Sequence, residues 1–359
     1  MLSRLYGAIT KARNSFYETG VFKSHSLGAP TVSIGNITVG GTGKTPLVAS
    51  VAEILAATGA KVGVLSRGYG RRNPRKRVLV SDGNKILVGV AEAGDEPFEL
   101  AGKLLGKAIV VADANRVLAG EWARGKFGIT AFVLDDAFQH RRVRRDADIV
   151  TVDATNPFGS GKLLPMGILR EPLENLKRAD AIVITRANLS GNVADLKIQI
   201  SKYNPRCPIF ISENRISGLI DLEKFLVEAR NEMKDVWRTP NDEKKPINDR
   251  QLLITKSYFA FCALGNPQNF FEQLRRDKFN LISSEAFPDH HFYTPQDAVK
   301  IQMKARKAGA QILLTTAKDA VKLRDLKFDL PCFVVENEII FDGENSFHDW
   351  LISKINAKN

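Results

Sequence analysis

The chain has 359 residues, of which 44% are hydrophobic and 26% are charged. This composition excludes a disordered or fibrous chain, and the length allows two globular domains. The formal net charge of +12 favours anionic partners such as nucleic acid, an anionic membrane face or a phosphorylated substrate, and does not choose among them.

No apolar run reaches the roughly 20 residues needed to span a bilayer, and the first residues lack the apolar core of a signal peptide. The three cysteines are scattered and have no metal-ligand spacing. We therefore expect a protein that is neither secreted nor integral to a membrane, with three reduced thiols.

The first 17 residues carry apolar side chains at helical spacing, with basic residues between them. The apolar set is Leu2, Leu5, Tyr6, Ile9, Phe16 and Tyr17, and the basic set is Arg4, Lys11 and Arg13. This pattern predicts an amphipathic helix, which either lies in a membrane interface or packs on the domain with its charges solvated.

Short β-branched runs then alternate with helical patterns. Strands are predicted at Thr31–Ile34, Val62–Leu65, Ala108–Val111, Ala131–Leu134, Asp148–Val152, Ala181–Thr185, Pro208–Ile211, Ile312–Thr315 and Cys332–Val335, and helices at Pro46–Ala57, Glu96–Leu105 and Arg116–Lys126. Continuous apolar strands with helical crossovers predict an α/β fold whose parallel sheet is covered by helices on both faces.

The predicted strands are too many for one modest sheet, so we expect two α/β units with a break near Asn156–Glu171. The boundaries are set at residues 1–28 for the first helix and a linker, 29–160 for the first α/β domain and 161–359 for the second. A polar, hinge-like excursion is expected near residues 215–250, where Asn231–Asp249 is charged and contains proline.

The strongest motif follows the first strand and opens a helix. It consists of Gly40, Gly41, Thr42, Gly43, Lys44 and Thr45. Its glycines let successive backbone N–H groups point at phosphate oxygens, and the helix N-terminus adds partial positive charge. Lys44 can reach the β- and γ-phosphates, and the Thr45 hydroxyl can ligate Mg²⁺. Although Thr38 stands where the usual pattern has its first glycine, the motif predicts a nucleotide-binding P-loop.

Two aspartates follow the predicted strand Ala131–Leu134. P-loop enzymes hold the magnesium shell at such a strand end, so Asp135 or Asp136 could position Mg²⁺ beside the P-loop. The alternative is an ordinary acid that caps the next turn. Gln139 and His140 follow on the same loop, where a functional and a structural role are both open.

A possible general base lies at Asp95, at a loop-to-helix junction. There it is either an N-cap or a carboxylate that accepts the proton of an alcohol. Far along the chain, His290 and His291 follow Asp289. Adjacent histidines seldom ligate one metal ion. One of them therefore either transfers a proton or polarises a neighbouring group, a role that would place it beside Asp95, or belongs to a polar turn.

Arginines are dense in Ser66–Arg77, in Arg141–Arg145 and at Arg170. Their planar forks match phosphate oxygens bidentately. Nucleic acid is the competing ligand, but the sequence has no recognition-helix, zinc or stacking-aromatic signature, so no nucleic-acid partner is expected.

The motifs occur in one order: Gly35–Pro46, Ser66–Gly70, Gly94–Pro97, Asp135–His140, Leu163–Pro165 with Gly167, Arg170–Pro172, Phe287–His291 and Lys318–Ala320. In this order the chain resembles the tetraacyldisaccharide 4′-kinase family, the lipid A 4′-kinases, over roughly residues 1–335. The resemblance implies two P-loop-like α/β/α units joined by a hinge.

The resemblance also implies a function. Members transfer the γ-phosphate of ATP, with Mg²⁺, to the 4′-hydroxyl of tetraacyldisaccharide 1-phosphate at the cytoplasmic face of the inner membrane, where the N-terminal helix helps to dock on lipid. Asp95 matches the family's base and is paired with a histidine that we place at His290, with His291 as the alternative. Substrate contacts are predicted at Arg67, Arg116, Gln139, His140, Arg170 and Glu171, and a monomer is expected.

Two other classes stay open from the residues alone. A P-loop NTPase or ligase acting on a soluble small molecule predicts hydrolysis that detergent-solubilised glycolipid does not stimulate. A basic nucleic-acid-binding protein with a vestigial P-loop predicts steeply salt-dependent binding to nucleic acid.

Overall fold

The computed structural model describes residues 2–231 and 255–356, and within those ranges the strands form one mixed sheet. They are β1 Thr31–Asn36, β2 Val62–Ser66, β3 Val78–Ser81, β4 Ala108–Ala112, β5 Ala131–Asp135, β6 Ala147–Asp153, β7 Ala181–Thr185, β8 Ile209–Asp221, β9 Ser257–Cys262, β10 Asn280–Ala286, β11 Ile312–Thr316 and β12 Cys332–Phe341. Their spatial order is β10-β9-β11-β12-β8-β7-β6-β1-β5-β2-β4-β3. Most pairs are parallel, whereas β3 with β4 and β8 with β12 are antiparallel.

The helices pack around this sheet. They are α1 Leu2–Glu18, α2 Lys44–Ala57, α3 Val90–Ala93, α4 Asp95–Lys103, α5 Arg116–Phe127, α6 Val193–Ser201, α7 Leu222–Asn231, α8 Pro267–Arg276, α9 Pro295–Lys307, α10 Ala317–Ala320 and α11 Glu344–Asn356, with short 3₁₀ segments at Leu173–Arg178 and Ala187–Leu189. All nine predicted strands overlap observed strands, and the helices predicted after the N-terminal one are α2, α4 and α5. The predicted α/β fold is therefore confirmed, while β3, β9 and β10 were not predicted.

Both faces of the first part of the sheet are buried. Successive residues of one strand belong to different cores: Val133 of β5 packs with α2 and α4, whereas Phe132 and Leu134 pack with α5. Full burial stabilises such side chains by about 1.5–3 kcal/mol each. This two-sided burial explains why the strands read as continuous apolar runs.

Strand β8 connects the two parts of the sheet. Residues 209–211 pair in parallel with β7, and residues 212–221 pair antiparallel with β12. We call β1–β7 the first half of the sheet and β9–β12 the second half. Of the expected excursion near 215–250, the part up to residue 231 is β8 and α7, and residues 232–250 lie outside the described residues. The domain boundaries at residues 28 and 160 stay a prediction.

Helix α1 is confirmed as a helix and lies against the first half. Its Asn14 is buried, whereas Leu2, Leu5 and Ile9 are each about 60% exposed or more. The Tyr6 hydroxyl donates to the carbonyl oxygen of Arg170 at 2.9 Å, which fixes the helix beside a central loop. Among the described residues, no helix combines the length and apolar character needed to cross a bilayer.

The predicted thiols are free in the structure. Cys262 and Cys332 are buried and Cys207 is half-buried. Burial raises the pKa of all three, because a thiolate loses its hydration there.

Candidate active site

The glycine-rich loop lies between β1 and α2, as its sequence predicts. Gly43 takes φ 75° and Gly40 φ 105°, a left-handed region in which a side chain is strained. Two strand residues hold Thr42 in place. Its hydroxyl contacts that of Thr151 at 2.8 Å, and its carbonyl oxygen accepts a hydrogen bond from the Thr185 hydroxyl at 2.9 Å. The loop is thus fastened to β6 and β7 and leaves its open side to the solvent.

The two aspartates lie beside this loop because β5 pairs in parallel with β1, so that both strands end at the same edge of the sheet. Asp136 Oδ1 lies 3.5 Å from Lys44 Nζ, and Arg170 Nη1 donates to both Asp136 oxygens at 3.0 and 2.9 Å. These cations outweigh the effect of burial and hold the pKa of Asp136 below its usual value. Asp136 is therefore a carboxylate at neutral pH.

Asp135 lies deeper than its neighbour. Its side chain is buried and accepts a hydrogen bond from the Ser66 hydroxyl at 2.8 Å. Burial, together with the nearby carboxyl groups of Glu96 and Asp136, raises the pKa of Asp135 well above its usual range. Asp136 lines the open cleft and Asp135 lies behind it.

A cleft of about 820 Å³ joins the P-loop to residues from the second half of the sheet. Of the predicted site residues, it is lined by Gly40, Gly41, Thr42, Gly43, Lys44, Thr45, Arg67, Arg116, Asp136, Gln139, His140, Arg170 and His290. Strand β8 adds Asn214, and the second half with its helices and loops adds Gln273, Asn337, Asp289 and Lys318. The structure therefore brings most of the predicted set into one cavity, although their individual roles stay predictions.

Two cleft residues, Arg116 and His140, have strongly lowered pKa values. Arg116 is only 3% exposed, and burial lowers its pKa to about 10, so it remains a cation. Burial, followed by the nearby charges of Arg116 and Arg145, lowers the pKa of His140 to about 3, so its imidazole is neutral at pH 7. The positive charge of Arg116 at the cleft wall suits a phosphate group.

Asp95 meets the second half of the sheet. It is the first residue of α4, with Gly94 at the N-cap position, so the N-cap interpretation is wrong. His290 Nδ1 lies 2.9 Å from Asp95 Oδ2, and Lys322 Nζ lies 2.7 Å from the same oxygen. Burial disfavours the carboxylate, but the hydrogen bond from His290 and the adjacent ammonium of Lys322 outweigh this, so the pKa of Asp95 lies below its usual value.

The two adjacent histidines have different partners. His291 Nε2 contacts Asp297 Oδ2 at 3.0 Å, its ring stacks on Phe287 at 4.9 Å, and Asp297 belongs to the capping box that starts α9. His290 instead lines the cleft, with Asp95 behind it and the Tyr69 ring 5.5 Å away. The geometry thus favours His290 over His291 as the partner of Asp95.

Glu171 is placed away from the cleft. Its side chain is fully buried, and its Oε2 accepts hydrogen bonds from Asn14 on α1, from Asn175 and from Arg178. The predicted substrate contact stays untested, and this placement favours a role in fastening α1.

Sequence reasoning overlooked Lys322 and gave little weight to Lys318. Lys318 Nζ lies 3.2 Å from Asp289 Oδ1 across the cleft wall, and it follows a strand end, which was a weak signal. Lys322 comes after α10 and belongs to no motif, so only its contact with Asp95 identifies it.

A P-loop on a mostly parallel sheet, with a histidine of the same cleft paired to an ionised aspartate behind it, defines a P-loop phosphotransferase. Comparisons with known proteins agree. The family model described as tetraacyldisaccharide-1-P 4′-kinase matches residues 1–356. The tetraacyldisaccharide 4′-kinase of Desulfotalea psychrophila is 36% identical over 334 residues, covering 92% of this chain and 89% of that protein. That of Halothermothrix orenii is 38% identical over 341 residues, covering 94% and 85%.

A solved structure of the same family has the same fold. The LpxK of Aquifex aeolicus, crystallised in complex with ATP, is 30% identical and superposes with a TM-score of 0.73, covering 99% of this chain and 97% of that one. The chain therefore belongs to the tetraacyldisaccharide-1-P 4′-kinase family, and the resemblance of its motifs is confirmed.

Proposed function

We propose that the chain transfers the γ-phosphoryl group of ATP to the 4′-hydroxyl of tetraacyldisaccharide 1-phosphate, a step of lipid A biosynthesis. The observation that carries the proposal is that His290, which contacts Asp95 at 2.9 Å, lines the same cleft as the P-loop. A phosphate donor in the loop and an alcohol beside Asp95 would then share one cavity, which is what transfer between them needs.

The reaction follows from these positions. As the 4′-oxygen forms its bond to the γ-phosphorus, Asp95 accepts the hydroxyl proton, and the bond from the γ-phosphorus to the β,γ-bridging oxygen breaks, so that ADP leaves with the electron pair. Lys44 and the backbone N–H groups of the P-loop stabilise the charge on the transferred group. His290 holds the carboxylate in place through its Nδ1 contact.

The residues beside the P-loop suit Mg²⁺. Within residues 2–231 and 255–356, no group of three or more His, Cys, Asp or Glu residues is arranged to hold a metal alone. Mg²⁺ commonly takes one or two protein oxygens and completes its shell with phosphates and water. The Thr45 hydroxyl and the Asp136 carboxylate line the cleft and would hold the ion, with Asp135 behind them. Bound there, Mg²⁺ would neutralise charge between the β- and γ-phosphates.

The decisive experiment is transfer of labelled γ-phosphate to a detergent-solubilised lipid A precursor. We expect Lys44→Ala and Asp95→Ala each to lower turnover by about 10²–10⁴-fold, since each removes a group that acts in the transition state. Asp329→Ala is the matched control, because this aspartate pairs with Arg306 at an exposed site. Full activity of Asp95→Ala would remove it as the base, and ATP hydrolysis that the glycolipid does not stimulate would favour a soluble substrate.

We also propose that α1 docks the enzyme at the cytoplasmic face of the inner membrane. Leu2, Leu5 and Ile9 project from it into solvent, and Met166, whose backbone N–H donates to the Ser3 hydroxyl, is 67% exposed beside them. Such a basic, apolar surface binds anionic lipid.

Vesicle sedimentation tests the docking. The double variant Leu5→Ser, Ile9→Ser should lose most of its binding to anionic vesicles while retaining ATP binding. Ile198→Ser is the control, because Ile198 on α6 is 59% exposed to solvent. Equal vesicle binding by the α1 variant and the wild type would refute the role of α1.

A further inference from the structure

A buried lysine contacts the proposed base. The side chain of Lys322 is fully buried, and its Nζ lies 2.7 Å from Asp95 Oδ2 and 5.7 Å from the centre of the Phe292 ring. Burying an ammonium is costly unless a carboxylate compensates it. Lys322 and Asp95 therefore depend on each other, although they come from different halves of the sheet.

The two contacts of Asp95 converge on one oxygen. Within the described residues, both His290 Nδ1 and Lys322 Nζ lie against Oδ2. Two contacts on one oxygen fix the plane of the carboxylate. The other oxygen, Oδ1, makes neither of these contacts and is left to take a proton. The lysine adds an ammonium group in direct contact with the carboxylate.

Other charged groups also surround Asp95. They are Glu96 on α4, Asp289 and His290 in the loop before α9, and Lys318, Asp319 and Lys322 in and after α10. Lys318 is engaged by Asp289 at 3.2 Å, and Asp319 accepts hydrogen bonds from Thr316 and from the backbone of Ala263. Lys322 is thus the cation that contacts Asp95.

We propose that Lys322 is a positioning residue, which keeps Asp95 ionised and fixes its carboxylate so that Oδ1 takes the proton of the acceptor hydroxyl. The inference rests on the proposed role of Asp95 as the base. A salt bridge that only stabilised the fold would leave the pH dependence of phosphoryl transfer unchanged.

The test is the pH profile of kcat/KM for the glycolipid in Lys322→Met. An opposite charge in contact lowers the pKa of an aspartate by about 1–3 units, so its removal should move the acid limb of the profile upward by about one pH unit or more. The loss of turnover relative to the wild type should grow as the pH falls through the shifted limb and should shrink towards pH 9, while binding of ATP is unchanged. Lys322→Arg, which keeps the charge, should restore the acid limb.

The controls separate this inference from the proposed function. Lys354→Met removes another ion-paired lysine, the 2.8 Å partner of Asp180, and should keep the wild-type profile. In an Asp95→Ala background, Lys322→Met should cause no further loss of turnover. If the wild type does not phosphorylate the glycolipid, the proposed function fails; if it does and Lys322→Met keeps the wild-type profile, only the inference fails. Lys322→Gln replaces the methionine variant if that one does not fold, and failure of both to fold would make the lysine structural and overturn the proposal.

Discussion

Replacing Glu171 distinguishes a structural role from the substrate contact that the sequence predicted. The carboxylate is fully buried, and its Oε2 accepts from Asn14, Asn175 and Arg178 at 2.8, 2.7 and 2.9 Å. In Glu171→Ala the Arg178 guanidinium, whose side chain is 11% exposed and lies 4.2 Å from the centre of the Phe138 ring, loses its carboxylate.

The expected cost follows from that burial. Removing one partner of a buried ion pair lowers the free energy of unfolding by about 3–5 kcal/mol. Glu171→Gln keeps an acceptor oxygen and should lose about 1–3 kcal/mol. The measurement is urea denaturation, with Asp329→Ala as the control, since an exposed ion pair contributes only about 0–1 kcal/mol.

Stability and activity of the Glu171 variant together decide between the two roles. One outcome is an unfolding free energy of Glu171→Ala within about 1 kcal/mol of the wild-type value, together with lost glycolipid phosphorylation and intact ATP binding. Glu171 would then contact substrate, as the sequence predicted. Loss of stability together with weaker binding to vesicles would instead mark Glu171 as the anchor of α1.

Two further predictions concern backbone geometry and pH. A Cβ at Gly94, where φ is 88°, would lie 2.7 Å from the Tyr69 carbonyl oxygen. Gly94→Ala should therefore lower the unfolding free energy by about 1–3 kcal/mol. It should also lower turnover, because Asp95 follows directly in the chain. By contrast, Gly125→Ala meets open space within α5 and should gain about 0.5–1 kcal/mol in the same denaturation assay. Because the pKa of His140 is about 3 in the folded chain and about 6.5 when unfolded, the unfolded chain binds more protons below pH 6.5, and stability is lost as the pH falls through that value. Urea denaturation between pH 6.5 and pH 5 should show a loss of about 1.5 kcal/mol from this group, and His140→Gln should remove it.

Among the described strands, the sequence predicted every inner strand except β9, and it predicted neither edge strand. Strands such as β5 are buried on both faces, so they are continuous apolar runs. By contrast, β10 lies at one edge with a half-exposed, polar sequence, and β3 has only four residues at the other edge. Their pairing partners, and not their own side chains, make them strands.

Some features of the site were predictable from the sequence and others were not. The P-loop was identified directly from the sequence, because its glycines, its lysine and the following helix are contiguous in the chain. The contacts of Asp95 with His290 and Lys322 join segments that are distant in the chain, and no local pattern encodes them. The burial of Glu171 was likewise not encoded locally, since its partners Asn14 and Arg178 come from other segments.

The ladder between β8 and β12 has a mechanical consequence. Residues 212–221 pair with residues 333–341 as an antiparallel ribbon that joins the halves of the sheet. Sliding one strand along the other would break the whole ladder and turn every side chain to the opposite side, whereas bending or twisting breaks few bonds. The two halves can therefore change their angle while β8 and β12 keep one register.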